Sequence, residues 1–161
     1  MTLSIRPATA ADLPLIAALI RELAEYEHLA HELRFDEPAL GEHLFGARPA
    51  AEALIGMIDG EPQGFALFFP TFSTFEGKPG IWLEDLFVRP AARGKGLGKA
   101  LLLSVAKLAV ERGCARYEWS VLDWNEPSIR FYKALGARQM AEWQIMRVHG
   151  DALATMADQA D

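Results

Sequence analysis

Gly94, Gly96 and Gly98 alternate with Lys95 and Leu97, flanked by Arg93 and Lys99, just where an apolar helical repeat begins. Glycine lets a backbone turn sharply and bring its amides close to a ligand. At a helix start, N–H groups without an internal partner and the positive end of the helix dipole face the same point. The stretch is therefore a candidate cradle for a pyrophosphate. Its G-x-G-x-G spacing is not the dinucleotide fingerprint G-x-G-x-x-G, and no G-K-[ST] follows as in a Walker loop. A plain strand-to-helix turn is the alternative reading.

Immediately upstream, Leu83-Glu84-Asp85-Leu86-Phe87-Val88 reads as a buried strand carrying two carboxylates. Neighbouring strand side chains point to opposite faces, so Glu84 and Asp85 are not expected to line one cleft together. Alternation alone leaves open which of the two faces a cleft. Downstream, Asn125 is placed to cap a helix with Pro127 in its first turn, and Ile129, Phe131, Tyr132 and Leu135 are spaced to face a core. An ordinary capped helix would use the same residues. His28, His31, His43 and His149 show no ligand spacing such as H-E-x-x-H, so no metal is assigned. Cys114, the one cysteine, makes no internal disulfide and reads as a packing residue. The Trp residues read as core or interface.

The elements that position these groups can be read along the chain. Leu3 to Arg6 suggests a strand, ended by Pro7. Thr9 to Asp12 has capping-box spacing, and Leu13, Ile16, Ala17, Ile20, Leu23 and Ala24 predict an amphipathic helix to about Tyr26. Asp36-Glu37-Pro38 opens a second helix, ending near Phe45-Gly46. Ala53 to Ile58 and Gln63 to Phe69 read as a hairpin about Asp59-Gly60. Pro70 to Gly80 contains a loop, and Ile81 to Val88 is the next strand. Leu97 to Arg112 is a long helix closed by Gly113. Arg116 to Leu122 reads as a strand, Glu126 to Leu135 as a helix, and Gln139 to Val148 as a last strand or hairpin. A frayed Ala/Asp-rich tail follows Gly150. The order β-α-α-β-β-β-α-β-α-β is an α+β layout, with helices packed on a mixed, mostly antiparallel sheet.

At 161 residues and 51% hydrophobic, the chain suits one compact domain. A formal charge of −6 argues against non-specific nucleic-acid binding, which rests on phosphate neutralisation by Lys and Arg. The N-terminus shows no signal-peptide pattern, and no apolar run approaches the roughly 20 residues that span a bilayer. A cytoplasmic protein with no membrane partner is expected.

The Arg-x-x-Gly-x-Gly order placed straight after Leu-Glu-Asp-Leu-Phe-Val resembles the acetyl-CoA-binding motif of the GNAT N-acetyltransferase superfamily, and the element order matches that fold over nearly the whole chain. Residues 5–12 (Ile5 to Asp12), 22–27 (Glu22 to Glu27), 83–88 and 124–133 (Trp124 to Lys133) are similar to the diamine N-acetyltransferases, a branch that includes spermidine/spermine and thialysine enzymes. The resemblance implies a single GNAT domain over residues 1–150, with a tail at 151–161. It implies acetyl-CoA as cosubstrate, held by Phe87, Val88, Arg93, Gly94, Lys95, Gly96, Leu97, Gly98, Lys99, Asn125 and Ser128. Tyr26, Glu27, Glu84 and Glu142 are implied for a small primary amine, Glu84 also as the proton acceptor in the cleft, with Asp85 facing the other side, and Tyr132 as the general acid. A homodimer is implied as well, and Phe72 and Phe75 are candidates to cover a partner subunit.

The chemistry is consistent with those roles. An alkylammonium near pKa 10.4 must lose a proton before it can attack a thioester, and a phenol near 10 can return one to a thiolate near 8.5. A backbone N–H near Phe87 would polarise the carbonyl. Acceptors related to lysine, or an aminoglycoside, preserve this chemistry and stay open. A non-catalytic acyl-CoA sensor is disfavoured by the presence of Glu84 and Tyr132 alongside an intact loop.

Overall fold

Helix α1 starts where Asp12 folds back on the preceding turn. Its carboxylate accepts from the Thr9 backbone N–H at 2.8 Å and pairs with both terminal nitrogens of Arg6 at 2.7 and 2.8 Å. Arg6, with help from Thr9, holds the Asp12 carboxyl down at about 2. This knot ties strand β1 (Leu3–Pro7) to α1 (Leu13–Tyr26). Asp36 caps α2 (Glu37–Phe45) by accepting from the Ala39 N–H at 3.0 Å.

The computed structural model describes residues 1–160, which form two compact units, Met1–Ser120 and residues 121–160. The first contains β1, α1 and α2, then β2 (Glu52–Ile58), β3 (Glu61–Ser73), β4 (Lys78–Val88), α3 (Leu97–Glu111) and β5 (Arg116–Glu118). Its sheet runs β1-β2-β3-β4-β5, antiparallel as far as β4 and parallel between β4 and β5. Parallel neighbours need a crossover, and α3 supplies it. Ile16, Leu19 and Leu23 of α1 and Leu44 of α2 pack with Ala53, Ile55, Phe65, Leu67 and Phe87 on one face of the sheet. Helix α3 covers the other face with Leu97, Leu101 and Val105, all buried. Gly56 permits that approach, since a Cβ there would lie 2.9 Å from Leu97 Cδ1. Each large side chain buried in this way contributes about 1.5–3 kcal/mol.

The second unit contains α4 (Glu126–Ala134) and α5 (Gly150–Ala157). No residue of α4 is fully buried; Ile129, Phe131 and Tyr132 are half-buried and Leu135 is exposed.

Several sequence expectations are corrected. Pro70 to Gly80 is mostly strand: β3 runs on to Ser73 and β4 begins at Lys78, paired through Ser73↔Lys78. Only residues 74–77 turn, with Gly77 at φ 62°; an extended hairpin arm accepts Pro and Gly where a central strand would not. Strand β5 stops at Glu118 rather than Leu122. Residues 139–148 form no strand, only a turn at 141–142 with Trp143, Ile145 and Met146 exposed, so their apolar alternation has no sheet to bury against. The expected frayed tail instead carries α5, in keeping with the helix preference of its alanines. None of the Trp residues is in the core: Trp82 and Trp119 are half-buried, Trp124 and Trp143 exposed. Cys114 is also only half-buried. Among the described residues no helix is long and apolar enough to cross a membrane.

Candidate functional site

The parallel ladder between β4 and β5 covers only Gly80–Trp82. Beyond it, the rest of β4, Leu83–Val88, is paired on the β3 side alone. An unpaired strand edge offers a row of N–H and C=O groups to an extended ligand. That edge leads through a short turn at Pro90–Ala92 into Arg93, Gly94 and Lys95, and then the first turn of α3.

Gly94 at φ 77° and Gly96 at φ 86° take the left-handed conformation that makes the turn possible. Gly96 is the N-cap of α3 and its carbonyl accepts from Ala100 N–H at 3.0 Å. The amides of Leu97, Gly98 and Lys99 then lie in the first turn, without helical acceptors, at the positive end of a 15-residue helix. Lys95 and Lys99 are exposed beside them. Gly98 has no left-handed φ, and a Cβ there would meet only Val88 Cγ2, at 3.7 Å. The protein's own packing does not demand a glycine at 98. Arg93 departs from the simple picture. Its Nε donates to the Val88 carbonyl at 2.9 Å, and its guanidinium lies 4.3 Å from the Tyr26 ring and 5.6 Å from the Phe87 ring. The side chain braces the loop against the end of α1.

The largest correction concerns the two carboxylates. In the β3–β4 register Leu67 faces Asp85 and Phe68 faces Leu83, leaving Glu84 as the extra residue of a bulge. Leu67 belongs to the α1-side core, so Asp85 stands on that face with Phe87. The opposite face takes Ile81, Leu83, Leu86 and Val88, spaced two, three and two residues apart. The expectation that Asp85 faces away from the cleft is therefore wrong, because strict alternation fails at the bulge. Glu84 is exposed and its Oε2 accepts from Trp82 Nε1 at 2.9 Å.

Asp85, Glu27 and Glu32 share a hollow of about 170 Å³ whose other walls are Ile20, Leu23, Ala24, Leu29 and Leu33. Burial, then the charges of Glu84 and Glu27, push the Asp85 carboxyl up to about 7. Glu27 is raised too, by burial first and then by Glu84. Burial and neighbouring negative charge thus disfavour ionisation of both Asp85 and Glu27 on the α1 side of the bulge, an effect that a bound cation would relieve. Tyr26, next to Glu27, is under the Arg93 guanidinium. Glu32, Leu29 and Leu33 escaped the sequence reading, which set Asp85 on the opposite face. The uneven spacing of residues 81, 83, 86 and 88 was the one available signal for the bulge.

The remaining candidates lie in the second unit. Asn125 is the N-cap of α4, its carbonyl accepting from Ile129 N–H at 3.1 Å, but its side chain makes no cap hydrogen bond. Ser128 is in the first turn, and Tyr132 packs its ring 5.5 Å from that of Phe131. Glu142 is exposed in the turn at 141–142.

Residues 17–137 match the model of the Acetyltransferase (GNAT) family. Thialysine N-epsilon-acetyltransferase of Sus scrofa is 38% identical over 164 residues, covering 95% of this chain and 96% of that protein. L-ornithine N5-acetyltransferase of Arabidopsis thaliana is 34% identical, covering 92% of this chain and 85% of its own length. Among solved structures, an integron cassette protein from the mobile metagenome of V. cholerae superposes with a TM-score of 0.81 at 26% identity, covering 99% of both chains. With the open β4 edge and the glycine-started α3 already in place, these likenesses settle the family: the chain belongs to the GNAT acetyltransferases and is an N-acetyltransferase that matches their diamine/thialysine branch.

Proposed function

We propose that the protein transfers the acetyl group of acetyl-CoA to a primary amine of a small di- or polyamine. The observation that carries this reading is the pairing of an unpartnered β4 edge and glycine-started α3 with an acidic hollow on the α1 side of the same strand. The β4 edge from Leu83 to Val88 takes the extended part of the coenzyme, and the α3 amides with Lys95 and Lys99 take its pyrophosphate. A backbone N–H near Phe87 polarises the thioester carbonyl. The acceptor amine enters on the acidic side, where Tyr26 and Glu84 meet it, and Glu27 and Glu142 balance a second positive centre. The carboxylates of the bulge assist deprotonation, Glu84 being the one open to solvent. Tyr132 returns a proton to the departing thiolate, and Asn125 and Ser128 contribute to coenzyme binding. On this reading residues 1–150 serve one reaction as a single catalytic domain, in a cytoplasmic homodimer to whose interface the exposed Phe72 and Phe75 belong.

A second acceptor class has a specific observation in its favour. Relatives named for thialysine and ornithine are 32–39% identical to this chain, against 30% for the spermidine/spermine-like protein of Homo sapiens. An amino acid with a terminal side-chain amine presents the same ammonium as a diamine, plus a carboxylate. The discriminating experiment follows free thiol release from acetyl-CoA over a panel of α,ω-diamines, spermidine, ornithine and thialysine. Turnover with diamines and spermidine supports the first reading; turnover confined to the amino acids replaces it with the second. No thiol release with any amine removes both.

A further inference from the structure

We propose that Glu22–Arg89 and Tyr26–Arg93 are two rungs of a brace that fixes the amine-facing end of α1 against the turn between β4 and α3. Glu22, Arg89 and Arg93 are then positioning residues for the acceptor amine. This deepens the acetyltransferase reading and rests on it. The rungs are spaced alike on both sides. Glu22 and Tyr26 stand one helical turn apart on α1 and share a face. Arg89 and Arg93 flank the short turn at Pro90–Ala92. The first rung is a fork: Arg89 Nε and one terminal nitrogen each donate to a Glu22 carboxylate oxygen at 3.0 Å, and the other terminal nitrogen donates to the Pro62 carbonyl at 3.3 Å. In the second, the Arg93 guanidinium lies 4.3 Å from the centre of the Tyr26 ring and 5.6 Å from that of Phe87.

Arg93 is held from a third side. The Arg89 N–H donates to the Gln63 carbonyl of β3 at 2.9 Å. In the same planar peptide the Val88 carbonyl points the opposite way, to the open edge of β4, and there it accepts from Arg93 Nε at 2.9 Å. The Arg93 side chain is thus spent within the protein. The exposed charges beside the α3 amides are Lys95 and Lys99.

What the brace holds is the last turn of α1. On another face, the same turns line the acidic hollow with Ile20, Leu23, Ala24 and Glu27. The helix then closes in a Schellman turn: the Leu29 N–H donates to the Ala24 carbonyl at 2.8 Å and the His28 N–H to the Glu25 carbonyl at 3.1 Å. His28 takes φ 60° there, a left-handed conformation that this position usually gives to glycine. Leu29, the next residue, is a wall of the hollow. A turn that places a non-glycine residue in that conformation favours unwinding, and the two rungs oppose it from outside. Unwinding would displace Glu27 and Leu29 together. Only the wound fraction offers the amine its site, so apparent affinity falls in proportion to that fraction. The reacting strand is untouched, so KM for the amine changes and kcat does not.

The test is steady-state kinetics with acetyl-CoA and a short α,ω-diamine, each varied at saturation of the other. Glu22→Gln and Arg89→Met should each raise KM for the diamine by about fivefold, with kcat and KM for acetyl-CoA within about twofold of wild type. Combining them should do no more than the worse single change, because both break one rung. Arg89→Lys keeps the charge but not the fork and should recover part of the loss. Arg93→Met breaks the second rung and should raise the diamine KM as well. Glu22→Gln is isosteric and preserves the test should Arg89→Met fold poorly. A rise confined to KM for acetyl-CoA would mean that the rungs serve the coenzyme and overturns the proposal. Additive effects of Glu22→Gln and Arg89→Met overturn it too, as does a lowered melting temperature with both KM values unchanged. Each of these leaves the acetyltransferase reading intact. Wild-type protein that binds acetyl-CoA but acetylates no amine overturns both.

Discussion

The two ends of the proposed reaction are built in opposite ways. The coenzyme end is a run of neighbouring residues, Arg93 to Lys99, whose binding groups are backbone amides oriented by two left-handed glycines and a helix start. The amine end draws Glu27 and Glu32 from the end of α1 and the turn after it, and Glu84 and Asp85 from a strand more than 50 residues later, brought together only because β4 bulges. Local geometry suffices for an anion cradle, because helix ends expose N–H groups wherever they occur. A site for a cation that must give up a proton needs carboxylates that are desolvated together, and desolvation is a property of the assembled fold. The comparison predicts that damage to the two ends will separate cleanly in experiment.

The largest effect tests the donor side of the chemistry without touching the cradle. Tyr132→Phe removes one hydroxyl and keeps the ring, so turnover should fall by roughly 10²–10⁴-fold with acetyl-CoA binding preserved. Turnover within about threefold of wild type would make Tyr132 a packing residue.

Next in size is a break in the cradle itself. Gly98→Asp places a carboxylate over the helix start at a position whose φ any residue accepts, so the backbone is not strained and the helix dipole even favours the charge. Wild-type protein at 100 times the dissociation constant should gain about 2.7 kcal/mol from acetyl-CoA. The variant should fold normally and lose that gain, measured as the ligand-dependent shift in melting temperature. An intact shift would relocate the coenzyme.

A third prediction sharpens the amine end through stability. The native Asp85 carboxyl, raised to about 7, binds its proton more tightly than in the unfolded chain. Between about pH 4 and pH 7 the folded state therefore holds the extra proton, and stability falls as pH rises through that window, with the full penalty present above it. Asp85→Asn should stabilise the protein at pH 8 by about 2 kcal/mol, allowing for partial solvent screening, and change it little near pH 4. Chemical denaturation at the two pH values measures this directly. Destabilisation at pH 8 would mean that the carboxylate is held by a partner rather than strained by its neighbours.

The smallest effect concerns binding alone. Glu27→Gln should raise KM for a diamine by up to about fivefold and leave kcat nearly unchanged, as expected when a partly exposed contact is equal in ground and transition states. The same loss for a monoamine would move Glu27 from the distal positive centre to the reacting one.

Unlike the Arg6–Asp12 pairing, helix α1, its Thr9–Asp12 capping spacing, the α2 start, the Asp59-Gly60 hairpin and the glycine-started α3 were all legible from the residues. Each depends on contacts within a few positions, where spacing and capping chemistry decide the outcome. Residues 139–148 show the limit of that logic. Their alternation is strand-like, but alternation becomes a strand only when a sheet edge accepts it, and here none does. The Pro- and Gly-bearing stretch from 70 to 80 erred in the other direction, since its punctuation suggested a loop while the hairpin register carried the strands through it.

The sequence by itself determined the family, the glycine-started helix and the presence of carboxylates on the strand before it, because those features are written in adjacent residue types. Which carboxylate faces the α1-side hollow was decided only by tertiary structure. A single extra residue at Glu84 reverses the facing of everything after it, and the side-chain period of two makes that reversal complete. Burial against α1 then raises Asp85, an effect that no residue type carries on its own.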